Sequence, residues 1–226
     1  MRTRINKTDY LLSLIREGKK MALKQKLKLT VYLSIPAIIT QLSSIVMQYV
    51  DASMVGSLGA NASASIGLVS TTTWLFWGLC AAAATGFSVQ VAHLIGAGNF
   101  AGARKILRQS ITATLLFGSS LAAIGVFISD SLPSWLGGDE IIRKDSSVYF
   151  LIFSLFLPVL QMNFLASGML RCSGNMYIPS ILNILMCLLD IIFNFFLIFP
   201  KRQIEIMGLN IDIYGAGLGV KGAALR

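Results

Sequence analysis

Charge is what this chain has least of, and the gaps in it are more informative than the charges themselves. Asp, Glu, Lys and Arg make up 13% of the 226 residues, whereas a soluble domain spends about a quarter of its residues on charge to cover its surface. Leu29 to Val50 holds no charged residue, and Ala52 to Ala103 holds none apart from His93. Gln109 to Ser129 and Ser146 to Leu170 are free of charge as well. A helix rises about 1.5 Å per residue, so about 20 residues cross a hydrocarbon core of roughly 30 Å. Each gap is long enough to span, and so many in series argue against a soluble domain. The first follows about 28 polar and basic residues. It exceeds a typical leader core and lacks a small-residue cleavage site, so it reads as a span rather than a cleaved leader.

Metal-ligand residues are equally sparse. A single histidine and three cysteines, Cys80, Cys172 and Cys187, match no zinc spacing and suggest no disulfide framework. The cysteines read as small apolar fillers, and His93 as a residue packed at a helix end. No nucleophile–base pair or paired catalytic carboxylate stands in any loop, so an enzyme reading has little support. Gly96-Ala97-Gly98 lacks the full GxGxxG spacing and no strand precedes it, which excludes a nucleotide loop.

What is present is basic charge, placed unevenly. Nine of the nineteen Lys and Arg precede the first span, with little aromatic interleaving. That pattern reads as a topology signal beside the membrane, in contact with anionic lipid, and not as a nucleic-acid site. Residues 1–28 form this basic segment, which is expected in the cytoplasm. Spans are expected near 29–54, 64–94, 105–129, 146–170 and 177–199, with a sixth starting near Gly215. With the N-terminus inside, thirteen Lys and Arg fall on the cytoplasmic side and four outside, as the positive-inside rule requires. Gly215 to Arg226 is too short to cross, so the chain is expected to be a fragment that stops as a sixth helix begins.

Two polar stripes cross the apolar windows. Gln41, Ser44, Gln48 and Asp51 recur at three, four and three residues; Asn183, Cys187, Asp190 and Asn194 recur at four, three and four. Each set lies on one helical face, and polar side chains facing lipid are costly, so both stripes should face the bundle interior or a wet cavity. Asp190 lies about fourteen residues into its span with no Lys or Arg in either stripe's helix to neutralise it. Its natural partner is a proton or a metal cation such as sodium, against the alternative of a protonated structural acid. Asp51, nearer its helix end, reads equally as a cap or as a second acid at matching depth. Pro36 should bend the first helix. Trp74 and Trp77 line a cavity or pack against lipid.

Five motifs in order carry a family resemblance. Val50-Asp51-Ala52-Ser53-Met54-Val55-Gly56-Ser57-Leu58-Gly59 resembles the VDT-x-x-VG-x-LG signature of multidrug and toxic compound extrusion (MATE) transporters. Pro36, the Gly96-Ala97-Gly98 turn before Ala103-Arg104, Arg171 to Gly174 with Pro179 beyond, and Gly217 to Leu225 resemble further family landmarks. The resemblance implies an all-α polytopic transmembrane helix bundle, the first six-helix lobe of a twelve-helix MATE-type transporter with its sixth helix incomplete. It implies an antiporter in the cell membrane that expels organic, often cationic, compounds in exchange for sodium or protons, with no other cofactor. Asp51 carries over as the family's helix-one acid. In the fifth helix many relatives have Asn-x-x-x-Asp, and here the order is reversed to Asp190-x-x-x-Asn194. The expected coupling-cation residues are Asp51 and Asp190 with Asn194, Gln48 and Asn183 as neutral ligands; Gln41, Ser44, Trp74 and Trp77 are expected to line the substrate cavity. A second lobe or second copy is the expected partner. A lipid-linked sugar flippase of the same superfamily is the rival transport reading, although the spans carry no arginines to hold phosphates. A transport-incompetent half-lobe acting as a membrane interaction protein is the other.

Overall fold

The computed structural model describes Leu14 and residues 21–198, 200–206 and 209–224. The other twenty-odd residues, including most of the basic N-terminal segment, Phe199 and the last two positions, lie outside it. Among the described residues five helices are long and apolar enough to cross a membrane. They are α1 (Leu23–Gly56), α2 (Ala60–Gly96), α3 (Phe100–Ile128), α5 (Glu140–Cys172) and α6 (Tyr177–Ile198). A single turn, α4 (Leu132–Trp135), precedes α5, and α7 (Val220–Ala224) ends the described chain. Most helices overrun the charge-free windows at one or both ends. Lys24, Lys26, Lys28, Arg104, Lys105, Arg143 and Lys144 are all helical and exposed, because the backbone hydrogen bonds continue through the headgroup layer while long cationic side chains reach water.

The breaks between helices follow from two Gly-Asn pairs. Gly98 (φ 72°) ends α2 and Gly174 (φ 86°) ends α5 in the left-handed region, which glycine enters without steric cost. Each following asparagine returns its N–H to the last full turn, Asn99 to Leu94 and Asn175 to Leu170 at 2.9 and 3.1 Å. The same asparagines then cap the next helix: Asn99 Oδ1 accepts from Gly102 N at 2.9 Å and Asn175 Oδ1 from Ile178 N at 3.1 Å. Each pair therefore stops one helix and starts the next, giving tight antiparallel turns.

Helices α2, α3 and α5 form one tightly packed body. Val69, Phe76 and Cys80 of α2 meet Leu121 and Ala122 of α3, Leu132 of α4 and Phe150 and Leu157 of α5, with Phe76 and Phe150 stacked at 5.8 Å. In hydrocarbon there is no water-driven force to press helices together, so close approach must come from small residues. Gly118 and Gly125 supply it: a Cβ on Gly118 would stand 3.2 Å from Pro158 Cα, and one on Gly125 would collide with Ser154 Oγ.

Helix α1 packs chiefly against α6 and only weakly against α2. Beyond α6 the fold departs from the sequence expectation, which has no strand there and places the sixth helix from Gly215. Strands β1 (Pro200–Ile206) and β2 (Leu209–Ala216) pair antiparallel with Ile206 opposite Leu209. The helix starts at Val220 instead. Leu218 N and Gly219 N donate to Leu197 O and Ile198 O at 2.9 and 3.2 Å, so the returning chain satisfies carbonyls that α6 leaves open at its end. Ala223 then closes against Val55 and Ile198.

Candidate functional site

The polar stripes of α1 and α6 face each other. Toward their C-terminal ends Asn194, fully buried, donates from Nδ2 to Asp51 Oδ1 at 2.8 Å and to Asp190 Oδ2 at 3.0 Å. Asp51 is only 5% exposed, and Asp190 is half-buried. One amide thus holds two carboxylates from two helices. Their nearer oxygens, each within 3.0 Å of one nitrogen, lie no more than about 6 Å apart. At an effective dielectric of about 20, two negative charges at that distance repel by roughly 3 kcal/mol.

Asn194 also has a buried carbonyl oxygen, Oδ1, with no hydrogen-bond partner. A buried acceptor left unmade costs about 1–3 kcal/mol. The amide turns its Nδ2, not its Oδ1, to both acids. The oxygen donors at hand are the two carboxylates and, with the amide turned over, Asn194 Oδ1, and oxygen donors suit a hard cation rather than a soft one. Among the described residues no group of three or more His, Cys, Asp or Glu gathers as for a transition metal.

The other expected ligands divide. Gln48 lies one turn from Asp51 and shares a cavity of about 420 Å³ with it, bordered also by Val55, Ser63, Trp74 and Tyr149. Asn183 does not join. Eleven residues before Asn194, at about 1.5 Å per residue, it stands roughly 16 Å along the helix. There its Nδ2 donates to Ser44 Oγ at 3.1 Å and Thr40 O at 3.4 Å.

A second cleft, about 350 Å³, opens between α1 and α2. Gln41, Ser44, Trp74 and Trp77 all line it, together with Gln48, Thr73 and Phe153. Trp77 is braced edge-on by Phe164 at 5.1 Å and leans on Trp74 at 5.7 Å, so the aromatic wall is held in place. Gln48 and Trp74 border both cavities. Sequence reasoning missed Thr73, which ends the polar run Ser70-Thr71-Thr72-Thr73, and Phe153 and Tyr149, whose neighbours carried no signal. It also missed Ser180, which a longer count of the α6 stripe would have found three residues before Asn183. Pro36 lies within α1 and leaves the carbonyl one turn earlier, Tyr32, without its helical N–H. His93 is exposed near the end of α2, while Cys80 and Cys187 are buried and Cys172 half-buried, all as free thiols.

Comparison with known proteins gives a consistent picture. The sequence profile of the MatE family matches residues 36–196. A curated relative from Shewanella oneidensis described as an FAD transporter is 25% identical over 182 residues, covering 79% of this chain and 40% of its own. A probable multidrug resistance protein NorM from Thermotoga maritima is 26% identical over 182 residues, covering 79% and 38%. The chain thus spans about 40% of the length of the curated relatives it matches. Among solved structures, a MOP superfamily transporter from Pyrococcus furiosus superposes with a TM-score of 0.74 at 25% identity, over 86% of this chain and 40% of that one. An outward-facing multidrug resistance MATE transporter superposes with a TM-score of 0.75 at 25% identity, over the same shares.

Proposed function

The chain belongs to the MatE family of membrane transporters, and from that premise we propose that it is the first lobe of a cation-coupled antiporter that exports organic compounds. The observation that carries this reading is the Asp51–Asn194–Asp190 cluster. Two acids held against each other inside the membrane, beside a buried amide oxygen, favour taking up one sodium ion or one proton. Binding would neutralise the repulsion between the two acids. A ligand shifts a conformational equilibrium only by its differential affinity for the two states. The cluster provides such a difference if the cavity beside Asp51 is open to water in one state of the lobe and closed in the other.

The cleft beside the cluster supports an organic cargo. Two tryptophans offer flat faces for aromatic or cationic groups, and Gln41 and Gln48 offer amides that can donate or accept. The names carried by the relatives, one an FAD transporter and one a probable multidrug resistance protein, support an organic cargo. The N-terminus is assigned to the cytoplasm: exposed Lys24, Lys26, Lys28, Arg104, Lys105, Arg108 and Arg171 share one end of the bundle, and Asp130, Asp139, Glu140 and Asp145 stand at the other. A second lobe completes the cavity.

The test is ethidium efflux from cells stripped of their own pumps and expressing the complete transporter, this lobe joined to its second lobe. Efflux should rise above the empty-vector level and collapse when monensin and a protonophore together dissipate the sodium and proton gradients. Efflux that survives both ionophores together, or no efflux of ethidium or any flat aromatic probe, would overturn the reading.

A further inference from the structure

Among the described residues three side chains of α6, Ser180, Asn183 and Asn194, reach α1 by four hydrogen bonds, and three of those bonds lie far from the acidic cluster. Ser180 Oγ donates to Pro36 O at 3.3 Å. Asn183 Nδ2 donates to Thr40 O at 3.4 Å and to Ser44 Oγ at 3.1 Å. The acceptors fall within about two turns of Pro36, where α1 has lost a helical hydrogen bond and is easiest to deform. Thr40 Oγ1 also donates to Pro36 O at 2.8 Å, so the proline turn is tied to its own next turn as well as to α6. On its other side α1 touches the α2–α3–α5 body only weakly, near Val55 and Ile66, and two cavities separate Gln41, Ser44, Gln48 and Asp51 from Thr73, Trp74 and Ser63.

We propose that Ser180 and Asn183 are positioning residues that fasten the Pro36 bend of α1 to α6, so that α1 and α6 move as one body against α2, α3 and α5. Asn183 then acts on Asp51 through α1, and not as a ligand of the cation. Any movement that opens or closes the organic cleft takes place along the seam where α1 faces α2. The cluster at Asp51 and the clasp at Pro36 hold opposite ends of the same helix pair.

The experiment measures distances by pulsed electron spin resonance in the complete transporter, in lipid nanodiscs, with the three native cysteines replaced. Labels go at Ile38 on α1, Ile181 on α6 and Leu75 on α2, which are 56%, 64% and 60% exposed. The probes are sodium chloride, a step from pH 8 to pH 6, and tetraphenylphosphonium. The 38–181 distance should stay fixed under all three probes, while the 38–75 distance shifts with at least one of them. Ser180→Ala with Asn183→Ala should broaden the 38–181 distribution and make it probe-dependent, and Ser180→Ala alone should give a smaller broadening. A double variant with the parental 38–181 distribution would overturn the proposal, as would a 38–181 distance that follows the probes in the parent. The proposal rests on the transport reading only for its probes. If no probe moves the 38–75 distance yet the double variant still loosens the 38–181 pair, the clasp stands and the coupled-transport reading fails.

Discussion

Replacing Asp190 by Asn removes one ionisable group from the cluster and almost nothing else. The amide is nearly isosteric, and its oxygen can still accept from Asn194 Nδ2, as the carboxylate does at 3.0 Å. Folding and membrane insertion should therefore survive. The lost attraction can be sized. A cation seated about 4 Å from a carboxylate at an effective dielectric of about 20 gains roughly 4 kcal/mol from it. At 1.4 kcal/mol per factor of ten, losing that gain should weaken cation binding by about two to three orders of magnitude. The assay is the sodium concentration, or the pH, at half-maximal export of ethidium by the complete transporter in vesicles. Asp190→Asn should move that midpoint out of the usable range. Asp51→Asn should do the same, and the double variant should be scarcely worse than either, because residues joined through one amide do not act independently. A midpoint for Asp190→Asn within threefold of the parent would refute the reasoning and return Asp190 to the status of a structural acid.

Other consequences are simpler to read. Lys105→Cys and Lys144→Cys lie at opposite ends of the bundle, and a membrane-impermeant maleimide applied from outside should label only Lys144→Cys; labelling of Lys105→Cys alone would invert the topology. Gln161 is fully buried in α5 with neither amide atom hydrogen-bonded, so Gln161→Met should raise the melting temperature, worth about 1–3 kcal/mol, and a lowered one would show that the amide is satisfied. Gly118→Val forces branched carbon against Pro158 and Gln161 and should destabilise by about 1–3 kcal/mol. Gly86→Ala, which meets nothing within 4 Å, should be neutral or mildly stabilising in the same thermal assay.

The transmembrane plan was legible because hydrocarbon tolerates so little. A window free of charge for twenty residues has few folds open to it, and the Gly-Asn pairs at 98–99 and 174–175 mark where two of the helices must stop. The pairing of Asp51 with Asp190 could be approached from helical spacing, since both stripes needed a polar surface to face. That Asn194 would bridge them could not, because spacing along one helix says nothing of its register against another. Asn183 shows the same limit: it shares the α6 face with Asp190 yet meets Ser44 and Thr40. The hairpin after α6 was readable in principle. Ile204 and Ile206, then Leu209, Ile211 and Ile213, alternate with polar residues at a period of two on either side of Met207-Gly208. The gathering of Trp74, Trp77 and Phe153 around one cleft depended on how α2 and α5 rotate against each other, which packing decides.

The central claim is that the acidic cluster couples an inward cation to an outward organic compound. Its most direct measurement follows both fluxes at once in proteoliposomes holding the complete transporter, with ethidium read by fluorescence and sodium and pH read by entrapped indicators. Ethidium movement against its gradient should be matched by sodium or proton movement in the opposite direction, and Asp51→Asn should abolish both together. Ethidium transport with no opposing flux of either ion, or coupled flux that persists unchanged in Asp51→Asn, would contradict the account.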